Sequence, residues 1–287
     1  MKTNLLHFLS VLGIFMLNAC VKQDKNTVEK PEEVIVETPK IPIYDTDDPK
    51  TVLASVAYSH GGWDDLWKKR DVQYTYDYRY PANGKADIST ERYIFDSEIS
   101  YGHYTLHQIN VMPDQEGEVF QYFDGKKTVV LANGKKIEDP EVLASGDFLR
   151  RANYFWFVMP YKLNENGTIA SYEGQEAYHG KHYDKIKISY DPEVTGKEQN
   201  DSYMLYIDPV TKLIDRFYFS LPFLGVHEPV IIADYEYSDV DGQKIATKRS
   251  YYIPNEQGYS KEPNLVQTLT NITFNNGFTR EHIMKTP

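Results

Sequence analysis

Cysteine is nearly absent from this sequence, which has one, Cys20, among its 287 residues. An intramolecular disulfide is therefore excluded, even in an oxidising compartment. The Gly-x-Ser-x-Gly, His-Glu-x-x-His and glycine-rich phosphate-binding motifs are also missing, which argues against the common enzymes that carry them. A net charge of −11 argues against a nucleic-acid partner.

The N-terminus has an apolar run that is too short to span a bilayer comfortably. After Met1-Lys2, residues 5–17 are largely apolar, whereas a spanning helix needs about 20 such residues. A run of this length is typical of a signal peptide. The next residues, Leu17-Asn18-Ala19-Cys20, resemble the lipobox of bacterial lipoproteins. At the position of Asn18, a small or β-branched residue is commoner in that motif than asparagine. We predict a signal peptide over residues 1–19 and a lipid on Cys20; the alternative is an ordinary signal and an incidental cysteine.

The composition changes after Cys20. Residues 21–49 are rich in Lys, Glu, Asp and Pro and contain no aromatic residue before Tyr44. Such a segment buries too little apolar surface to offset its ordering entropy. Residues 20–49 are therefore predicted to be a lipidated, flexible tether. Val21-Lys22 lacks the aspartate of inner-membrane retention, so we expect an outer-membrane lipid anchor in the cell envelope, on either the periplasmic or the surface side.

Residues 50–287 are predicted to form one large, mainly β domain. The sequence has 24 tyrosines, and tyrosine favours strands. The clearest signal is a strand of period two, with one buried and one solvated face. Its apolar members are Val72, Tyr74, Tyr76, Tyr78 and Tyr80.

Further strand-like runs follow, separated by turn residues such as Asp124-Gly125 and Asn133-Gly134. One helix is expected from Pro49 to a break at Gly61-Gly62, and another from Pro140 to about Asn153. The most apolar run of the mature chain, Tyr154–Met159, comes next. The remaining strands are expected near residues 92–96, 101–110, 119–123, 127–131, 169–172, 185–190, 202–207, 213–221, 230–238, 244–253 and 266–274.

Several of these segments resemble the LolA/LolB-like superfamily of periplasmic lipoprotein carriers. The segment 203–216 looks like its strand, Asp-Pro turn and strand, and shorter matches are 122–125, 154–163 and 269–274. His60-Gly61-Gly62 followed by Trp63 and Trp67 looks like an uncharacterised group of Bacteroidetes lipoproteins of that fold. The resemblance implies an incomplete antiparallel β-barrel, or half-barrel, of about eleven strands that wraps over a few helices. It also implies an apolar cavity for acyl chains.

Three groups of histidines are the candidates for metal or acid–base chemistry. His179 and His182 could contribute to a metal site, but a solvated hairpin turn explains them as well. His103 and His107 share parity on one strand, which suits either general-base use or a polar position at the barrel mouth. His60 lies beside two glycines and is explained by a helix break with packed indoles.

We therefore predict a non-enzymatic, membrane-anchored protein that binds a lipid or a lipoprotein acyl chain, without metal or cofactor. The alternative is an envelope structural or interaction module that binds a protein or glycan and has a packed interior. The sequence leaves the oligomeric state open. The candidate cavity residues are Trp63, Trp67, Tyr74, Tyr76, Tyr78, Phe155, Trp156, Phe157, Met159 and Tyr203.

Overall fold

The computed structural model describes residues 40–283, which belong to one compact unit. The predicted signal peptide, Cys20 and most of the predicted tether lie outside the described residues. Within the described range, no helix combines the length and the hydropathy that a membrane span needs.

The domain is built on one antiparallel sheet of 13 strands. Its spatial order is β6-β5-β4-β3-β2-β1-β13-β12-β11-β10-β9-β8-β7. The strands are β1 Asp71–Arg79, β2 Ala86–Ile94, β3 Ile99–His107, β4 Val119–Phe123, β5 Thr128–Ala132, β6 Lys135–Lys136, β7 Thr168–Tyr178, β8 Lys181–Tyr190, β9 Tyr203–Ile207, β10 Ile214–Leu221, β11 Val226–Val240, β12 Gln243–Tyr252 and β13 Leu265–Phe274.

Two arms of the sheet meet where the first strand pairs with the last. Because β1 to β6 run outward on one side and β13 to β7 on the other, β6 and β7 are the opposite edges. The helix α3, Pro140–Lys162, lies between these edges in the sequence. It packs against β3, β4 and β5 in one arm, and its residue Met159 packs with the core of the other arm. The sheet therefore curves around α3, which lies on its concave face.

Three helices pack buried side chains against this sheet: α1 Pro49–Ser59, α2 Trp63–Lys68 and α3. The short α4, Pro192–Thr195, has no buried residue. The Asp139 carboxylate caps α3 by accepting hydrogen bonds from the backbone N–H groups of Glu141 and Val142 at 2.9 and 3.2 Å. On the sheet side of α3, Tyr154 and Phe157 pack with residues of β1 and β2, while Met159 packs with α1 and the β8–β12 arm.

The predicted architecture, an open half-barrel over helices, is confirmed. The sheet has 13 strands rather than about eleven. The tyrosine-rich strand is β1, in which Val72, Tyr74 and Tyr76 are buried. The helix break at Gly61-Gly62 also occurs as predicted, between α1 and α2.

The predicted end of α3 near Asn153 is wrong, because the helix continues to Lys162. The apolar run that follows Asn153 has helical spacing on its buried side, where Tyr154, Phe157, Val158 and Tyr161 lie three or four residues apart and enter the core. Packing of that stripe therefore extends the helix.

Part of the predicted tether contacts the domain. The Tyr44 hydroxyl donates a hydrogen bond to the Asp184 carboxylate at 2.7 Å, and the Ser55 hydroxyl lies 3.2 Å from the Ile43 carbonyl oxygen. The ammonium group of Lys212 lies 3.7 Å from the centre of the Tyr44 ring. Ordered contacts of the domain thus begin before Pro49.

Candidate ligand cavity

A cavity of about 560 Å³ opens beside α3. One wall is formed by α3 together with Phe123 at the end of β4, and the other consists of the ends of β8, β9 and β10 with the loop of residues 191–202. This volume lies in the usual range of roughly 300–1,000 Å³ for small-molecule sites. Its apolar lining includes Phe148, Phe155, Trp156, Tyr190, Tyr203 and Leu221.

Three aromatic side chains, Phe155, Trp156 and Tyr203, form what we call the aromatic floor of the cavity. The centre of the Trp156 ring lies 5.4 Å from that of Phe155 and 6.3 Å from that of Tyr203. Beneath the Trp156 ring, the ring centres of Phe219 and Phe217 lie 5.1 and 5.8 Å from its own. Because these rings pack on the buried core, the floor presents a rigid apolar surface to a ligand.

An aromatic pair stands at the rim. The rings of Phe148 on α3 and Phe223 stack with centres 4.3 Å apart and planes 8° apart. Phe223 belongs to the turn Pro222–Leu224, and both Phe223 and Leu224 remain 61% exposed. The apolar surface thus continues from the cavity to the outside of the protein.

Two cationic side chains of the cavity are paired with carboxylates. Arg151 donates to Asp147 at 2.7 Å, and Lys162 forms ion pairs with Glu98 and Glu165. Burial raises the pKa of Glu165 although Lys162 opposes the shift. These pairs place charge of both signs around the apolar lining.

Asp201 is the carboxylate next to the aromatic floor. Its Oδ2 accepts a hydrogen bond from the Tyr203 hydroxyl at 3.3 Å. Burial raises the pKa of Asp201, and the nearby Lys197 opposes the shift. Burial also raises the pKa of Tyr190 far above its usual value, with Asp201 as the next contribution. This end of the cavity therefore combines rings with a poorly solvated carboxylate.

A buried ion pair fixes the position of α3 beside the cavity. The Arg150 guanidinium donates to the Glu91 carboxylate at 2.7 and 3.1 Å, and neither side chain is exposed to solvent. Arg150 also donates to the Gln121 side-chain oxygen at 3.2 Å and to the Tyr104 hydroxyl. Since Arg151 is the next residue, this network sets which side of α3 faces the cavity. No local sequence pattern indicates this network, because Glu91 and Arg150 are 59 residues apart.

The structure brings Phe155, Trp156 and Tyr203 together at the cavity, and it places the other candidate residues elsewhere. Tyr74 and Phe157 stack in the core with ring centres 5.3 Å apart, and Met159 is fully buried. Trp63 and Trp67 pack on each other at the surface of α2, while Tyr76 and Tyr78 line a separate void of about 10 Å³, the size of one water.

The candidate histidines do not converge. His179 and His182 are exposed at the predicted β7–β8 hairpin. His103 stacks on Phe120 with ring centres 4.2 Å apart, whereas the two ring nitrogens of His107 lie 3.1 and 2.7 Å from backbone carbonyl oxygens. His60 is buried between the rings of Tyr161 and Tyr237. Among residues 40–283, no group of three or more metal-ligating side chains forms a possible metal site.

A sequence-family model matches residues 123–225, which is less than half of the chain; it is described as a family of unknown function, DUF6503. The match includes every residue that lines the cavity except Glu98. No curated protein matches the chain by sequence.

Several solved structures are similar in fold. A DUF1329 family protein from Desulfovibrio piger has a TM-score of 0.51 and 13% identity, over 82% of this chain and 97% of that one. A putative outer membrane lipoprotein-sorting protein domain from Vibrio parahaemolyticus has a TM-score of 0.49 and 9% identity, over 82% of this chain and 95% of that one. A LolA superfamily protein from Nitrosomonas europaea has a TM-score of 0.46 and 12% identity, over 77% of this chain and 97% of that one. The chain shares its fold with the first of these structures, and its own architecture is an open antiparallel half-barrel over helices. Its likeness to the LolA/LolB-like superfamily and its placement in a Bacteroidetes group rest on the sequence resemblance and stay predictions.

Proposed function

We propose that this protein binds a hydrophobic ligand, a lipid or the acyl chain of a lipoprotein, in the cavity beside α3. The observation that carries the proposal is an open cavity of about 560 Å³ with an aromatic floor. The core between α3 and the sheet is packed, so it is the open pocket beside α3 that favours a ligand-binding protein over the alternative, an interaction module without a ligand site. The proposal is for a binding protein and not for an enzyme.

Burial of methylene groups would supply the affinity. Each CH₂ group that moves from water to an apolar surface contributes about 0.8 kcal/mol, and Phe155 and Trp156 offer that surface. A ligand chain could enter past Phe223, because this lining side chain is exposed at the rim. The paired charges of Arg151 and Lys162 would remain near the ligand's polar end.

We further propose that a lipid on Cys20 holds the domain at a membrane of the cell envelope, with the outer membrane as the expected site. Two or three acyl chains suffice for stable anchoring. A permanently anchored domain cannot shuttle freely, so it would act as a receptor or sensor at its own membrane.

A fluorescence titration tests the proposed cavity. The chain from Val21 onward keeps every residue that the structure describes, and it can be titrated with the apolar dye N-phenyl-1-naphthylamine. We expect saturable binding, displaced by 12-carbon amphiphiles, and about tenfold weaker binding by Ala152→Trp, which places an indole in the cavity.

The matched control is Ala82→Trp, in an exposed turn outside the cavity, which should bind like the unmodified chain. Circular dichroism establishes that each variant is folded. Equal dye binding by both tryptophan variants, or no saturable binding at all, would contradict the proposal.

A further inference from the structure

We propose that the cavity prefers long-chain ligands whose head group donates hydrogen bonds and carries no negative charge. This inference rests on the proposed function, because it concerns the same cavity. It follows from which charged side chains line the cavity and from how each is already paired. The charged lining residues are Glu98, Asp147, Arg151, Lys162, Glu165, Lys197 and Asp201.

The two cations on α3 have little attraction left for a ligand anion. The Arg151 guanidinium is held by Asp147 at 2.7 Å and lies 4.1 Å from the centre of the Phe123 ring. The Lys162 ammonium is held by Glu98 and lies 3.7 Å from Glu165. A carboxylate ligand would have to compete with these protein carboxylates for each cation.

Lys197 is the remaining cation of the lining, and it lies on the exposed loop before β9. It forms no ion pair with any residue in the described range. Water and salt screen an exposed ammonium group strongly. Lys197 therefore adds only weak attraction for an anionic head group.

Asp201 is the group that a ligand head would meet beside the aromatic floor. Its hydrogen bond within residues 40–283 is the one from the Tyr203 hydroxyl to Oδ2, at a long 3.3 Å, which leaves Oδ1 available. The rings of Tyr190 and Tyr203 limit its hydration, and its pKa is raised chiefly by burial. A hydroxyl or ammonium donor would stabilise this carboxylate, whereas a ligand carboxylate would be repelled by it.

Displacement of N-phenyl-1-naphthylamine from the chain beginning at Val21 tests the inference. The competitors share a 12-carbon chain and differ in the head group: dodecylamine, monolauroylglycerol and laurate, each at pH 7.5 below its micelle concentration. A hydrogen bond to a charged group is worth about a tenfold change in affinity. We therefore expect the amine and the glycerol ester to displace the dye at about tenfold lower concentration than laurate.

The variant Asp201→Asn removes the negative charge at nearly constant volume, so it should reduce the amine-to-laurate preference by about fivefold or more. Asp65→Asn is the matched control, since Asp65 is exposed and pairs with Lys68 on α2, and it should leave the preference unchanged. If Asp201→Asn does not fold, Lys197→Met serves instead and should change laurate binding less than twofold.

The possible results separate a failure of the head-group preference from a failure of ligand binding itself. Equal displacement by all three competitors, or a preference for laurate, overturns the inference but leaves the proposed function intact. A preference that Asp201→Asn leaves unchanged also overturns it. If neither the dye nor any competitor binds, the proposed function fails and the inference fails with it.

Discussion

The position of α3 depends on two single residues, Arg150 and Glu91. Arg150 and Glu91 are both fully buried and satisfy each other by two hydrogen bonds. Ser89 and Tyr93 donate further hydrogen bonds to the same carboxylate, at 2.7 and 3.0 Å. Such a pair contributes little net stability, yet a single remaining buried charge is costly. The pair therefore matters chiefly for the position of α3.

Glu91→Gln should lower the free energy of unfolding by about 3–5 kcal/mol, because it leaves the Arg150 charge buried without a counter-ion. Urea denaturation followed by circular dichroism measures this loss. The double variant Glu91→Leu/Arg150→Met should recover most of it, since neither charge then remains. A loss below about 1 kcal/mol in the single variant would show that the pair does not hold the helix.

His60 gives a pH-dependent prediction. Its Nδ1 donates to the Val56 carbonyl at 2.7 Å, its Nε2 has no hydrogen-bond partner in the described range, and burial lowers its pKa to about 4. The unfolded chain has a His pKa of about 6.5. Between these values only the unfolded state takes up the proton, so the free energy of unfolding falls as the pH drops from 6.5 to 4, by up to about 3 kcal/mol.

Urea midpoints of the unmodified protein and of His60→Asn, at pH 7 and pH 4.5, isolate this contribution from that of other titrating groups. The unmodified protein should lose more stability than the variant on acidification. The same loss in both proteins would mean that His60 is not neutral and desolvated in the folded state.

At the scale of helices and strands, local pattern predicts most of the fold. Alternation along β1 and turn pairs such as Asn133-Gly134 indicate hairpins, because both are properties of neighbouring residues. The continuation of α3 beyond Asn153 depends on packing against β1 and β2, which local composition does not reveal.

The cavity was predictable only in part for the same reason. Phe155, Trp156 and Tyr203 belong to apolar or strand-like runs, so their types suggested a lining role. Asp201 and Phe223 lie in a loop and a turn, and only the folded chain brings them beside α3. Tyr74 is of the same type as the lining residues Tyr190 and Tyr203, and Met159 belongs to the same apolar run as Phe155 and Trp156, yet Tyr74 and Met159 lie in the packed core.

The close approach of β3 to α3 is testable at Gly102. A Cβ atom at this position would lie 2.5 Å from Nη1 of Arg150. Gly102→Ala should therefore destabilise the protein by about 1–3 kcal/mol, although alanine is otherwise the better residue in a strand. Thr105→Ala, at an exposed position of the same strand, should change stability by less than about 0.5 kcal/mol. Equal effects in the two variants, measured by urea denaturation, would contradict the packing described here.

At the scale of the whole molecule, β13 joins the two arms of the sheet. It pairs with β1 on one side and with β12 on the other. Deletion of residues 265–287 would expose two strand edges and the core beneath them, so the remaining chain should lose cooperative thermal unfolding. Scanning calorimetry measures this, and a sharp transition retained by the truncated protein would show that the arms fold independently.

Retention of a lipid by the purified protein is the most direct test of a ligand cavity in this half-barrel. The chain from Val21 onward is purified without detergent, extracted with organic solvent and analysed by mass spectrometry beside Ala152→Trp. The cavity predicts a co-purifying molecule with a long acyl chain in the unmodified protein and much less of it in the variant. A protein that retains no lipid, and whose melting temperature does not change when lipids are added, would contradict the account.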